Sequence, residues 1–278
     1  MLDLPIEPWA LASAYLLLVF PIALMLWWDL PLIGRSLTAV LRMTVQLLLI
    51  GVYLQYLFAW NNGWVNAGWL LVMVGVADVS IVRGCRLRLR CFVLPMFGAL
   101  CVGTAIPLFV FVGLVIRADN LLDAPFVIPI GGMILGNCMR ANIVGVSTFY
   151  GGVREGRASY LRSLAQGATR SEALRPFLRQ AGEAALMPTI ATLATLGLVS
   201  LPGMMTGVML GGADPIVAVK YQIAIMLAIF SGTAVTVALV IHWTLGRSFD
   251  AAGMLDPGIF AASPTPDAFE SPPEKQTP

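Results

Sequence analysis

Asn137, Arg140 and Asn142 interrupt an otherwise apolar stretch from Phe126 to Tyr150. An ionisable group in such a setting marks a functional site by default, because a bilayer interior disfavours it unless it meets water, a partner or a cargo. The amide oxygens of Asn137 and Asn142, with backbone carbonyls freed around Gly131, Gly136, Gly207 and Gly212, offer hard oxygen ligands. Met133, Met204, Met205 and Met209, with Cys138, offer softer sulfur. Methionine also fills gaps in apolar cores, so the sulfur set has a plain packing reading beside the ligand one. Asp214 is the one carboxylate placed to receive a cation at the far end of this path, and it equally suits an N-cap ahead of Pro215.

Several chemistries are excluded by residue type. Of the 17 basic residues only Lys220 and Lys275 are lysines, followed by Tyr221 and Gln276, so no Walker A loop is present. Cys85, Cys91, Cys101 and Cys138 form no CxxC pair, and His242 is the sole histidine. There is no Ser/His/Asp set, no HExxH and no pair of carboxylates facing one span, so the chain reads as a non-catalytic protein with no bound cofactor of its own. A net charge of +2 gives no reason to expect nucleic acid as a partner.

The elements that must position these groups are membrane spans. Of 278 residues, 58% are hydrophobic and 12% charged, against roughly 25% charged in soluble domains. The sequence predicts an all-α, polytopic integral membrane protein with about seven transmembrane helices, near 9–28, 37–59, 64–82, 91–116, 126–150, 185–201 and 215–245. Asp3 and Glu7 leave the first of these without a basic n-region, so it reads as a retained span and not a signal peptide. Arginines concentrate in alternate connections: Arg35 with nearby Arg42, then Arg83 to Arg90, then the loop 151–184, then Arg247. That pattern predicts the N-terminus outside and the C-terminus in the cytoplasm of a cell inner (plasma) membrane. Residues 1–245 form the permease domain, and the Pro-, Ser- and Asp-rich stretch 246–278 is expected as a disordered cytoplasmic tail.

Between the sixth and seventh spans Gly203, Gly207 and Gly211 recur every fourth residue, with Pro202 and Pro215 at either side. This predicts a broken or re-entrant helix whose bare face packs against another helix or lines a path. In the loop 151–184, Tyr160, Leu161, Leu164 and Ala165 recur at helical spacing. A second short helix from Glu172 to Gln180 sets Leu174, Phe177 and Leu178 on one face, as a helix presented to something would.

Three stretches resemble one family. Pro129-Ile130-Gly131-Gly132-Met133, continuing to Gly136-Asn137, matches a PxxGMxxGN signature; Gly167-Ala168-Thr169 followed by Ala173-Leu174-Arg175-Pro176 matches GAT...ALRP; and Val199 to Gln222 matches VSLPGMMTGxxLGGxDPxxAVKYQ. Together they resemble the FetB-type permeases of bacterial iron-export ABC transporters, a family that includes plant half-permeases tied to aluminium tolerance. The resemblance covers about residues 9 to 245. It implies a homodimeric membrane subunit that docks two copies of a separate ATPase, which would hold ATP and magnesium, and that exports iron or a related metal ion or complex. It also implies that the region around Leu164, Gly167, Ala168, Thr169, Leu174, Arg175 and Phe177 couples to the ATPase. Met133, Asn137, Cys138, Arg140, Asn142, Met204, Met205, Gly207 and Asp214 would then lie on the substrate path. The family pattern carries serine at Cys138 and a small or amide residue at Arg140; a cation there would repel metal ions unless a carboxylate such as Asp78 neutralised it. Export of an anionic metabolite such as a nucleotide sugar is the alternative, and a channel or carrier working without an ATPase is a second.

Overall fold

The computed structural model describes residues 8–250 and 253–260. The first span is two short helices, α1 (Pro8–Ala14) and α2 (Val19–Trp27), joined by a tighter turn at Tyr15–Leu18. There follow α3 (Ile33–Trp60), α4 (Gly63–Gly84), α5 (Leu89–Val110), which is prolonged by a wider turn at Phe111–Ile116, and α6 (Ala124–Glu155). Then come α7 (Arg157–Ala165), α8 (Arg170–Thr195), α9 (Gly203–Leu210) and α10 (Pro215–Ser248). Among the described residues the regular structure is helical throughout, apart from isolated bridges. Six segments are long and apolar enough to cross a bilayer: 9–27, α3, α4, α5 with its extension, α6 and α10.

The expected sixth span, 185–201, and the short loop helix expected over 172–180 are one continuous helix, α8. Its 26 residues reach about 39 Å at 1.5 Å per residue. Nothing between Gln180 and Ala185 breaks it, whereas after Thr195 the chain turns through Gly197, whose φ of +85° favours glycine. The short α9 follows that turn, so the break predicted around the glycines lies between α8 and α10.

Contacts at both ends set the relative directions. Gly63 abuts Leu122 and Gly84 abuts Ile143, so α4 and α6 run side by side in the same sense. At one end Asn61 bonds Asp123 and Asn66 bonds the Leu122 carbonyl. At the other, the Arg88 amide donates to the Ile259 carbonyl and Arg247 to that of Cys91. That second end gathers the arginines of alternate connections, as the charge count predicts.

α4, α5, α6 and α10 enclose the core, with α8 laid along α6 and α10. α3 touches the bundle only near its end, through Leu57 on Ala124 and Ile128 with Tyr53 stacked near Trp69 at 4.5 Å. The core helices come together on small residues. A Cβ on Gly103 would collide with Thr236 Cγ2 and lie 3.1 Å from the Thr236 Cα and amide nitrogen, and one on Gly145 would lie 3.1 Å from the Ala185 Cβ. This close approach is how helices gain contact where lipid supplies no hydrophobic drive. By contrast, among the described residues nothing lies within 4 Å of where a Cβ on Gly203 or Gly207 would sit, and one on Gly211 would meet the Val208 and Gly207 carbonyls. The expected packing of the glycine row against another helix is therefore not made among the described residues.

Residues 249–250 and 253–260, which fall within the expected tail, lie across the Arg-rich end. Phe249 pairs with Leu255, Phe260 pairs with Leu87, and Ile259 is buried. The rest of that expected tail, 261–278 with 251 and 252, lies outside the described residues.

Candidate functional site

A cavity of about 540 Å³ opens between α6, α8 and α10, lined among others by Asn137, Arg140, Val144, Thr189, Thr192 and Met226. Arg140 is near the midpoint of the 32-residue α6 and is exposed. Its side chain reaches back along its own helix, Nε toward the Gly136 carbonyl and Nη2 toward Asn137 Oδ1, each at 3.4 Å. Asn137 in turn donates to the Met133 carbonyl at 2.8 Å. These contacts hold the guanidinium loosely and leave most of its donors unspent.

The one ion pair among the described residues is Arg179–Glu183, so no carboxylate neutralises Arg140. Asp78, the candidate for that part, is fully buried on α4, and neither of its oxygens has a hydrogen-bond partner. It faces the bundle interior while Arg140 faces out of it.

Helical geometry divides the expected path residues. At about 100° per residue, Cys138 and Asn142 point away from Asn137 and Arg140. Both are fully buried against α10: Asn142 donates to Thr236 Oγ1 at 3.1 Å and to the Cys138 carbonyl at 2.8 Å. Met133 is half-buried and packs against the core, and so does Met204. Met205, Gly207 and Asp214 belong to α9 and the turn after it and do not line the cavity. Asp214 caps α10, its Oδ1 accepting from the Ile216 amide at 2.7 Å. No group of three or more His, Cys, Asp or Glu side chains among the described residues is arranged to hold a metal.

The composition of single spans concealed a buried polar seam. Thr104 on α5, Asn142 on α6, and Thr233 and Thr236 on α10 are all buried, and Thr104, Asn142 and Thr233 each keep one oxygen without a partner. One legible signal was the spacing of Thr233 and Thr236, which share a face of α10.

At the Arg-rich end, the residues read as a coupling region separate into two sets. Leu174 is buried and Phe177 packs on Gly152 and Gly156, while Leu164 joins the core. These three therefore anchor α7 and α8 to α6. Gly167, Thr169 and Arg175 are exposed and Ala168 is half-buried, at the turn between α7 and α8, where Gly167 takes a φ of +92°. The Tyr160 hydroxyl donates to the Gly253 carbonyl at 2.7 Å, and burial pushes its phenol up, which keeps it a donor. Arg170 lies over the Phe249 ring at 4.8 Å and donates to the Leu245 carbonyl. The α7–α8 turn is thereby fastened to the end of α10.

Thr169 begins α8 with a capping box. Its Oγ1 accepts from the Glu172 amide at 3.3 Å, and its hydroxyl and amide donate to Glu172 Oε2 at 2.7 and 2.8 Å. Those bonds, the hydroxyl's first, hold the Glu172 carboxyl below its ordinary value. A depressed folded pKa means the contribution is present above the unfolded value and is lost as pH falls through the folded one. The protection of the amides over 170–175, relative to their intrinsic exchange rate at each pH, is thus expected to fall in acid. Glu172→Gln should remove that pH dependence, and Thr169→Ala should cost about 1 kcal/mol of local stability at neutral pH.

The profile of UPF0014, an uncharacterised protein family, matches residues 8–249. The chain is 33% identical over 219 residues to a UPF0014 membrane protein of Synechocystis, covering 78% of this chain and 85% of that one. It is 30% identical over 247 residues to the probable iron export permease protein FetB of Escherichia coli, covering 88% and 93%. It is 32% identical over 216 residues to the protein ALUMINUM SENSITIVE 3 of Arabidopsis thaliana, covering 77% of each. No solved structure matches the chain.

Proposed function

The chain belongs to the UPF0014 family of multi-pass membrane proteins, and from that premise we propose that it is the permease subunit of an ATP-driven exporter of iron or a related metal. In this reading the Arg-rich end faces the cytoplasm, two copies form the path, and a separate ATPase holds ATP and magnesium. The name of the Escherichia coli relative supports iron export, and the exposed Gln166, Gly167, Thr169 and Arg175 support docking of a soluble partner.

The observation that carries a transport path is Arg140 near the middle of α6, exposed beside a cavity and, among the described residues, without a carboxylate. A guanidinium is not left against lipid when it can meet water, cargo or a second copy of the chain. The same observation favours a metal carried as an anionic complex over a bare cation. It equally favours the second reading, an anionic metabolite such as a nucleotide sugar, which differs only in the cargo.

The deciding experiment co-reconstitutes the chain with its cognate ATPase in liposomes and titrates ferrous iron, iron citrate and UDP-glucose against ATP hydrolysis. Stimulation by an iron species supports the leading reading, and stimulation by UDP-glucose alone replaces it with the second. An ATPase that does not bind would point to an autonomous carrier. Within this scheme Arg175→Glu is expected to weaken co-purification of the ATPase roughly tenfold with the permease still folded. Phe177→Glu should instead lower the thermal midpoint, since its ring packs on Gly156.

A further inference from the structure

We propose that the cavity at the Arg-rich end, between the end of α6, helix α7 and residues 253–260, binds one anionic phospholipid whose phosphate sits between Arg154 and Arg157. The cavity measures about 220 Å³, and its uncharged walls are Val153, Tyr160, Leu161, Met254, Leu255 and Phe260. The two guanidiniums are its only charged lining. Each carries five N–H donors, and what they meet here is soft. Arg154 lies over the Phe260 ring at 5.4 Å, and Arg157 Nη2 reaches Met254 Sδ at 4.0 Å. Neither is in an ion pair among the described residues.

The nearby carboxylates of Asp250 and Asp256 line a neighbouring cavity that shares Arg157. Each already accepts a backbone amide, from Met254 and Gly258 respectively, at 2.7 Å. The Tyr160 hydroxyl is spent on Gly253. Two little-used cations thus face an apolar space. A small soluble anion would satisfy the guanidiniums and leave the walls wet, and an apolar molecule would do the reverse. A phosphate joined to a hydrocarbon body satisfies both.

The cavity also lies at the Arg-rich end of the bundle. α6 ends at Glu155, and the excess of arginine at this end of the bundle is that of a protein face set against an anionic leaflet. The walls come from segments about a hundred residues apart, and the Arg88 amide bond to the Ile259 carbonyl at 2.8 Å ties one of them down. A ligand here would bridge them and raise stability by mass action. Such a site would hold its lipid whatever the cargo and with or without an ATPase bound.

The test uses the purified full chain in phosphatidylcholine nanodiscs titrated with phosphatidylglycerol, read by native mass spectrometry and by thermal unfolding. One phosphatidylglycerol retained per chain and a rise in Tm are expected. Arg154→Gln or Arg157→Gln should weaken retention roughly tenfold and the pair about a hundredfold. Met254→Trp, which fills the cavity and keeps both guanidiniums, should also displace the lipid. Arg162→Gln, exposed on α7 outside the cavity, should have no effect. Wild-type retention by folded double and Met254→Trp variants would overturn the assignment, as would an equal loss in Arg162→Gln, which signals diffuse attraction. Equal protection by inorganic phosphate would replace the lipid with a soluble anion.

Discussion

Arg140→Leu is expected to abolish cargo-stimulated ATP hydrolysis and to leave the fold intact. The side chain is exposed, and its own hydrogen bonds are two long contacts of 3.4 Å to its own helix. Its removal therefore leaves no buried acceptor stranded and no cavity in the core, and the thermal midpoint should not fall. Function should respond strongly. A guanidinium that meets an anionic cargo contributes charge-assisted hydrogen bonds of about 1.5–3 kcal/mol each, so losing one corresponds to a weakening of roughly 10- to 150-fold and losing two to roughly 100- to 20,000-fold. Arg140→Lys keeps the charge without the planar fork and should retain an intermediate response. Unchanged stimulation in folded Arg140→Leu protein would remove the cavity between α6, α8 and α10 from the path.

Gly103→Val is expected to have the opposite signature, a loss of the folded bundle. A Cβ at this position collides with Thr236 Cγ2 and stands 3.1 Å from the backbone of α10, so relief requires the two helices to separate. Separation would also disturb the Asn142–Thr236 bond next to it and the contact of Gly232 with the Gly103 carbonyl. Overpacking of this kind costs about 3 kcal/mol or more where backbone is the obstacle. The measurement is thermal unfolding in a mild detergent, with Gly207→Leu as the matched control. Gly207 has open space around it, so its substitution should leave the midpoint where it is. If Gly103→Val unfolds no earlier than Gly207→Leu, the close approach of α5 and α10 is not what holds the bundle together.

Much of the architecture was legible because a bilayer imposes simple rules on composition. Spans must be long and apolar, and arginines collect in alternate connections. The glycine- and proline-rich stretch predicted the break between the last two long helices, and of the two readings open for Asp214 the N-cap is the one seen. The family followed from three motifs distributed over most of the chain.

The extent of α8 was not legible, because its first half is charged and its second apolar, and hydropathy alone divides a helix that the backbone continues. Residues 249–250 and 253–260 were read as tail because the composition after Gly246 turns to Pro, Ser, Asp and Glu. They are ordered by contacts with Leu87, Arg88, Arg154, Tyr160 and Arg170, none of which is a sequence neighbour.

The sequence by itself determined that this is a multi-pass helical membrane protein of a particular family, which residues interrupt its spans, and which connections are basic. Only the tertiary structure decided that Asn137 and Arg140 line an open cavity while Cys138 and Asn142 are sealed against α10, and that Leu174 and Phe177 anchor the loop from within. In a soluble protein, water would mark one face of each helix with polar residues and the assignment would be half written in the sequence. Here the lipid face and the core face are both apolar, so the period that separates inside from outside is weak. Which side of α6 is open is settled only by where α4, α5, α8 and α10 lie against it.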